Sequence, residues 1–171
     1  MYEKSIDKKT KLVLEKIAKL GFVKNFYLAG GTALAIQLGH RESIDLDFFS
    51  HEKFSVSDME KELSLIGKFT LSKKDDRTLD GVLDGVKISF FHYDYDLIYP
   101  LINFSNIQIA DERDIACMKL DAVSSRGSKK DFIDIYFLLE KYSLSELISF
   151  FERKYKNIEY NKLHILKSLA Y

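Results

Sequence analysis

Residues 26–49 read FYLAGGTALAIQLGHRESIDLDFF, and this stretch decides the fold. It predicts a short apolar strand, a Gly-Gly pair, a helical segment, a polar turn and a second strand, which spans 44–48 and reads IDLDF. Because side chains alternate between the two faces of a strand, we expect Asp45 and Asp47 to share one face. The apolar residues of the same strand then point to the opposite face.

The two aspartates predict a divalent metal site. Carboxylates about 6–7 Å apart along one strand face repel each other unless a cation or hydrogen-bond donors lie between them. Magnesium suits such a pair because it prefers hard oxygen ligands and keeps waters and phosphate oxygens in its shell. We therefore expect Asp45 and Asp47 to bind Mg²⁺ or Mn²⁺, although an Asp-x-Asp pair alone is also common on solvated strand edges.

The glycine pair predicts an anion site at the start of the following helix. Without Cβ atoms, Gly30 and Gly31 can bring backbone N–H groups close to an anion. A helix N-terminus adds oriented donors and partial positive charge, and Thr32 adds a hydroxyl group. Many strand-to-helix turns contain a Gly-Gly pair, but a phosphate loop followed by two metal carboxylates fits a metal–triphosphate complex.

Two ordered motifs, GGTAL at 30–34 and GHRxSxDxDFF at 39–49, resemble those of the AbiEii-type nucleotidyltransferases. This family belongs to the superfamily with a polymerase-beta-like catalytic core and includes toxins of bacterial toxin–antitoxin and abortive-infection systems. The resemblance implies an α+β fold with a mixed sheet flanked by helices and a C-terminal helical half. The nucleotide-binding residues that it implies in this part of the chain are Gly30, Gly31, Thr32, Arg41 and Ser43.

Residues 111–138, DERDIACMKLDAVSSRGSKKDFIDIYFL, carry the second part of the resemblance. The matching positions are Lys119, Arg126, Lys130, Asp131 and Asp134. Lys119 and Lys130 would neutralise triphosphate charge, Lys130 as a nucleotide-binding residue, and Asp131 would orient or deprotonate an attacking hydroxyl. An ordinary helical role stays open for the same residues, because Asp131 suits a first helical turn and Asp134 can pair with Lys130 at i, i+4.

The polymerase-beta-like pattern is incomplete in one respect. Such enzymes commonly place a third carboxylate on a later strand, and the expected strand, 86–93, reads VKISFFHY without an acid. Ser89 occupies the position at which we expect it. Either Asp131 supplies the missing function, or a neighbouring residue does, or the protein binds nucleotide without transferring it. The neighbouring candidates are Asp80, His92, Asp94 and Asp96.

The remaining pattern predicts one compact unit, with a nucleotidyltransferase core at 1–110 and a helical part at 111–171 packed on it. Asp84-Gly85 is a strong hairpin signal, and Ser57-x-x-Glu60 and Ser143-x-x-Glu146 read as helix capping boxes. The predicted helices are 6–20, 57–66, 112–125, 129–140, 144–155 and 162–170, and the further strands are 69–72, 78–83, 86–93 and 107–109.

Composition indicates a cytoplasmic protein. The 26 basic and 26 acidic residues balance, but 1–24 holds seven lysines against three acids, and 141–171 is also basic. Basic ends around an acidic centre would help hold RNA, and they are equally typical of solvated helix faces. Cys117 is the single cysteine, which excludes an internal disulfide, and we see no secretory signal and no apolar run long enough to span a membrane.

The sequence therefore predicts a Mg²⁺-dependent enzyme that moves a nucleoside monophosphate from an NTP to an acceptor hydroxyl. Asp45, Asp47, Lys119 and Asp131 are its predicted catalytic residues. The resemblance implies tRNA or another RNA as acceptor and a cognate antitoxin protein as partner. The alternatives are a protein hydroxyl as acceptor, a nucleotide- or partner-binding module with a degenerate site, and an enzyme that modifies aminoglycosides.

Overall fold

A mixed sheet forms around the two strands of the first motif. The computed structural model describes residues 1–170, and within them seven strands form one sheet in the order β3-β4-β5-β2-β1-β7-β6. The strands are β1 Tyr27–Ala29, β2 Leu46–Ser50, β3 Phe69–Lys74, β4 Thr78–Leu83, β5 Val86–His92, β6 Ile102–Phe104 and β7 Ile107–Ile109.

Helices precede, interrupt and follow the strands. Within residues 1–170 they are α1 Lys8–Ile17, α2 Gly30–Leu38, α3 Val56–Ile66, α4 Glu112–Ser125, α5 Lys129–Leu139, α6 Leu144–Lys154 and α7 Lys162–Ser168. Two 3₁₀ segments, Glu3–Ser5 and Gly21–Asn25, lie on either side of α1. No helix in this part of the chain combines the length and apolar character that a membrane crossing requires.

The central strands separate an apolar face of the sheet from a polar one. β2 runs parallel to β5 and antiparallel to β1. Leu46 and Phe48 of β2 are fully buried, and the Phe48 ring stacks on Phe90 of β5 with 4.9 Å between ring centroids. Asp47 and Phe49 alternate with them and so lie on the opposite face of the sheet. This alternation places Asp47 outside the main apolar core.

Strand β2 begins two residues later than the sequence predicts. Ile44 is 53% exposed instead of buried, and Asp45 lies just ahead of the strand. The carbonyl oxygen of Ile44 accepts a hydrogen bond from the Thr10 hydroxyl at 3.4 Å, and that of Asp45 accepts one from the Thr32 hydroxyl. Pairing with β1 ends where Ala29 lies opposite Asp47, so residues 44 and 45 have no β1 partner and threonine hydroxyls bond their carbonyls instead.

Most of the other predicted elements are confirmed. Asp84 and Gly85 have φ angles of 50° and 77°, as the predicted two-residue hairpin requires. The bounds predicted for α4 agree with the structure, and both halves of the Ser143 capping box are present. The cap of α3 is different, because the Ser55 hydroxyl, and not that of Ser57, accepts from a first-turn N–H group.

Strand β6 is absent from the sequence prediction. It forms a hairpin with β7 through Ser105 and Asn106, whose φ angles are 49° and 65°. Neither turn residue is glycine, and the strand has only three residues, so the usual hairpin signal is weak.

Candidate active site

The Gly-Gly turn lies directly against the second aspartate of the Asp-x-Asp pair. Ala29, the last residue of β1, is paired with Asp47 of β2, and Gly30 follows with a φ of 66°. A Cβ atom at Gly30 would lie 2.8 Å from the Oδ2 atom of Asp47. Gly30 is therefore required both for its left-handed backbone and for the space that the carboxylate occupies.

We expect Gly30→Ala to lower both stability and activity. A side chain in the left-handed region costs about 1–2 kcal/mol, and the added methyl group would push the Asp47 carboxylate away. Urea unfolding and nucleotide transfer measured on the same preparation would check this. Gly21→Ala is the matched control, because a Cβ atom there meets nothing within 4 Å. Equal effects of the two substitutions would contradict the expectation.

Arg41 closes over the second glycine of the turn. A Cβ atom at Gly31 would collide with Nη2 of Arg41. The guanidinium is held in that place by Asp134, with Nε 2.7 Å from Oδ1 and Nη2 3.0 Å from Oδ2. A bidentate pair of this kind fixes the plane of the guanidinium, so Asp134 positions Arg41 beside the turn.

Thr32 and Ser43 connect the turn to the aspartate strand. Both side chains are buried, and their hydroxyl oxygens lie 2.8 Å apart. The Thr32 hydroxyl donates to the carbonyl oxygen of Asp45. Because these hydroxyls bond to the protein itself, they position the start of α2 against Asp45 and have little freedom to contact a ligand.

Asp45 and Asp47 form an electrostatically strained pair. Burial raises the pKa of Asp47, and the charge of Asp45 raises it further. The nearest cation to Asp45 is Lys130, whose Nζ lies 3.9 Å from Oδ2 on a side chain that is 65% exposed. A bound cation would relieve the repulsion between the two carboxylates.

The donor set fits magnesium. In residues 1–170, no group of three or more His, Cys, Asp or Glu side chains could hold a metal ion by itself. Magnesium in phosphate-transfer sites is usually held by one or two carboxylates together with substrate phosphates, so a closed protein cage is unnecessary. Asp45 and Asp47 supply two such carboxylates beside the Gly-Gly turn.

A buried ion cluster lies behind the site. Nζ of Lys119 is 2.8 Å from Oδ1 of Asp131 and 2.7 Å from Oδ2 of Asp134. Asp134 is also 2.7 Å from Nε2 of His40, in addition to its bonds with Arg41. Burial by itself would raise the pKa of Asp134, but the His40 and Arg41 hydrogen bonds and the Lys119 charge outweigh it and hold that pKa well below its usual range.

Asp131 is similarly saturated with donors. Its Oδ2 atom accepts from the Ser128 hydroxyl at 2.6 Å and from Nε of Arg126 at 3.2 Å. Burial opposes ionisation, but the hydrogen bonds from Lys119 and Ser128 dominate and lower the pKa of Asp131. A fully bonded carboxylate with a lowered pKa is a poor proton acceptor, so this geometry favours an orienting role over deprotonation of a hydroxyl.

These lowered pKa values predict a loss of stability in acid. The pKa of these carboxylates is lower in the folded state than in the unfolded state, where it is about 4. Such groups stabilise the fold fully above about pH 4, and this contribution is lost as the pH falls toward the folded-state pKa. We therefore expect the free energy of unfolding to fall steadily below about pH 4. In urea unfolding across this pH range, the free energy of unfolding should fall less steeply with pH in Asp134→Asn than in the unmodified protein. The same pH dependence in both proteins would contradict a lowered pKa for Asp134.

The expected third carboxylate is absent from the position beside Asp47. In the sheet register, Asp47 pairs with Ser89, and Ser89 pairs with Asp80 one strand further away. Oδ1 of Asp80 is buried without a hydrogen-bond partner within residues 1–170. Asp94 forms an ion pair with Arg77 on the surface. The register neighbour of Asp47 on β5 is therefore Ser89, which has no carboxylate.

A cavity of about 280 Å³ opens between α4 and the face of the sheet that carries Asp47. Gly30, Gly31, Asp47 and Lys119 line one part of it, as the sequence predicts for a single site. Of the remaining lining residues, the resemblance also names Arg126, whereas the strand aromatics have the same sequence pattern in a core as at a cavity. These further residues are Phe49, Phe91, Tyr93, Met118, Asp121, Ala122, Ser125 and Arg126.

Comparison with solved structures shows which proteins share this fold. The fold is similar to that of the Megavirus polyadenylate synthase, with a TM-score of 0.57 and 16% identity, covering 78% of this chain but only 31% of that one. It is also similar to JHP933 from Helicobacter pylori, with a TM-score of 0.57 and 17% identity, covering 95% of this chain and 87% of that one. The chain thus shares the α+β fold of these proteins.

The family follows from the sequence comparisons. A family model described as "Nucleotidyl transferase AbiEii toxin, Type IV TA system" matches residues 12–168. The chain belongs to this AbiEii family, which confirms the resemblance and extends it beyond the two motif regions. An uncharacterized protein of Aquifex aeolicus (strain VF5) is 44% identical over 177 residues, which cover 98% of this chain and 84% of that protein.

Proposed function

We propose that this protein transfers a nucleoside monophosphate from an NTP to a hydroxyl group of RNA, with tRNA as the first acceptor to test. Membership of a nucleotidyl transferase family supports nucleotidyl transfer as the general activity. The observation that carries the proposal is the contact between the Gly-Gly turn and Asp47 at one cavity, because it brings an anion-binding helix start to a metal-binding carboxylate.

The turn and the buried cluster would hold the triphosphate. Gly30 and Gly31 form the first residues of α2, whose unpaired N–H groups and dipole favour phosphate oxygens. Behind them, Lys119, Arg41 and Arg126 share the carboxylates of Asp131 and Asp134. The cluster itself holds three cationic side chains against two acids, so its end of the cavity favours phosphate oxygens, while Asp47 and Asp121 line the rest.

Asp45 and Asp47 would hold Mg²⁺ or Mn²⁺ together with the phosphates. A bound divalent ion supplies Lewis-acid polarisation of phosphoryl oxygens in such sites. Asp131 and Asp134 would keep Lys119 and Arg41 in place, which fixes the phosphates relative to the acceptor hydroxyl. Thr32 and Ser43 would then contribute mainly by holding the shape of the turn.

Exposed cations beside the cavity favour an RNA acceptor. The side chains of Arg126 and Lys130 are 68% and 65% exposed, and both lie within 4 Å of a site carboxylate. Their charges would attract a phosphate backbone without selecting a base sequence. The type IV toxin–antitoxin family also implies a cognate antitoxin, whose production would restrain this activity in the cell.

Transfer of label tests the proposal. Purified protein would be incubated with each NTP carrying a radioactive α-phosphate, with Mg²⁺ and total tRNA, beside an Asp45→Asn, Asp47→Asn double variant. Label on RNA that the double variant cannot add would support the proposal. Label on protein or on an added aminoglycoside, and none on RNA, would overturn the choice of acceptor.

A second candidate is a module that binds nucleotide without transferring it. The serine beside Asp47, at the position where a third carboxylate is expected, favours this alternative. It predicts that calorimetry detects binding of Mg²⁺–NTP while no acceptor receives label. The same experiment therefore separates the enzyme from the degenerate module.

A further inference from the structure

We propose that Asp121 selects the base of the bound NTP, favouring a base that presents an amino group over uracil. This inference rests on the proposed nucleotidyl transfer and names the nucleoside end of the same cavity. Asp121 would act as a specificity-determining residue, with the aromatic rings on the opposite wall stacking on the base.

The strand positions place an aromatic surface at a suitable distance from the phosphate site. Phe49 and Phe91 are a register pair on β2 and β5, two residues beyond the pair formed by Asp47 and Ser89. Two residues of strand correspond to roughly 6.6 Å, which is the scale of the step from a nucleotide's α-phosphate to its base. Both rings line the cavity, so a base reaching this wall would meet aromatic faces.

The aromatic rings form a continuous wall. The Phe49 and Phe91 centroids are 5.1 Å apart, and Tyr93 packs edge-on against Phe49 at 5.4 Å. The Tyr93 hydroxyl is 2.7 Å from the Tyr155 hydroxyl, so its polar group is already bonded. Stacking on such rings tolerates any base, and the wall therefore binds a base without choosing among bases.

Asp121 is the polar side chain on the cavity wall that can discriminate among bases. It lines the same cavity from α4 and is open to solvent. Within residues 1–170, no side-chain donor bonds its carboxylate and no cation lies in ion-pair contact with it, in contrast to Asp131 and Asp134. Burial raises the pKa of Asp121, and the charge of Arg126 opposes this in part. A cavity-lining carboxylate that no protein donor occupies is free to accept hydrogen bonds from a ligand.

The chemistry of the bases decides which ligands qualify. A carboxylate only accepts hydrogen bonds, and the amino groups of cytosine, adenine and guanine are donors. Uracil presents carbonyl oxygens on both sides of its single ring N–H, and these would repel the carboxylate. Ser125, one helical turn after Asp121 on the same wall, has a hydroxyl that can adapt to either kind of group.

The test compares nucleotides that differ at this edge. Dissociation constants of Mg²⁺ complexes of CTP and UTP, and of GTP and ITP, would be measured by calorimetry for the full chain and for Asp121→Asn. ITP lacks the 2-amino group of GTP and is otherwise the same. We expect at least one amino-bearing nucleotide to bind roughly tenfold or more tightly than its partner, since a bond to a charged group is among the stronger hydrogen bonds.

Asp121→Asn should bring that ratio close to one, because an amide can donate to a carbonyl as well as accept. Asp121→Ser provides a second variant of smaller size, and Asp58→Asn is the control, since it makes the same change on an exposed helix position. The label-transfer assay would be run in parallel with each nucleotide. Its nucleotide ranking should change in the Asp121 variants and stay unchanged in the control.

The outcomes separate this inference from the proposed function. Label transfer by the unmodified protein with the same nucleotide ranking in both Asp121 variants would overturn the role of Asp121 alone. Equal binding of amino-bearing nucleotides and UTP by the unmodified protein would do the same. A protein that neither binds nor transfers any NTP would overturn the proposed function together with the inference.

Discussion

Asp47→Asn should abolish nucleotidyl transfer and leave the protein as stable as before, or more stable. The substitution removes a proposed metal ligand that lies against the Gly-Gly turn. Loss of one preorganised group that stabilises a transition state commonly lowers the rate by a factor of about 10²–10³. Burial and the charge of Asp45 both raise the pKa of Asp47, so its ionised form opposes folding at neutral pH.

The two expected effects differ in sign, because transfer should fall while the free energy of unfolding stays the same or rises. Label transfer with saturating Mg²⁺ and urea unfolding at neutral pH would be measured on one preparation. Asp45→Asn is the matched variant, because Asp45 is a proposed ligand whose side chain is 39% exposed, so its loss should reduce transfer with little change in stability. A marked loss of stability in Asp47→Asn would show that this carboxylate serves the fold and not the chemistry.

Asp134→Ala should produce the largest loss of stability among single substitutions in the site. Asp134 is fully buried and bonds to Lys119, Arg41 and His40. Removing one partner from a buried ion pair leaves the others uncompensated and typically costs about 3–5 kcal/mol. Transfer activity should fall as well, since Arg41 loses the partner that holds it beside Gly31.

Urea unfolding at neutral pH would measure this cost. Asp94→Ala is the control, because it breaks a surface ion pair with Arg77 and should cost less than about 1 kcal/mol. Combining Asp134→Leu with Lys119→Met, which replaces the buried charges by apolar groups, should recover part of the lost stability. A cost for Asp134→Ala as small as that for Asp94→Ala would contradict the buried-cluster interpretation.

Local sequence signals predicted much of the fold. The Asp84-Gly85 turn, the α4 bounds and the Ser143 capping box depend on short-range backbone geometry, and a few neighbouring residues specify each of them. The predicted start of β2 was wrong, because pairing with β1 ends at Asp47 and threonine hydroxyls bond the carbonyls of Ile44 and Asp45. A local sequence pattern does not show which side chains of other elements will bond to a given backbone group.

Part of the candidate site could likewise be predicted from local sequence, and part could not. The order of the Gly-Gly pair and the Asp-x-Asp pair could be read from one stretch of sequence because β1, α2 and β2 are consecutive and β1 pairs with β2. The sequence also pointed to Lys119 and Asp131 by resemblance, but it did not predict that they bond to each other. It suggested that Asp134 pairs with Lys130, whereas the structure shows bonds from Asp134 to Lys119, Arg41 and His40.

The sequence alone thus predicted the class of fold, the family and the segment that holds the Gly-Gly turn and the proposed metal carboxylates. Only the tertiary structure decided which residues are bonded in the buried cluster, and that Asp121 lies across a cavity from Phe49 and Phe91. The physical reason is distance along the chain. Arg41 and Asp134 are 93 residues apart, and packing of α2 against α5 and α4, not any local propensity, brings such partners together.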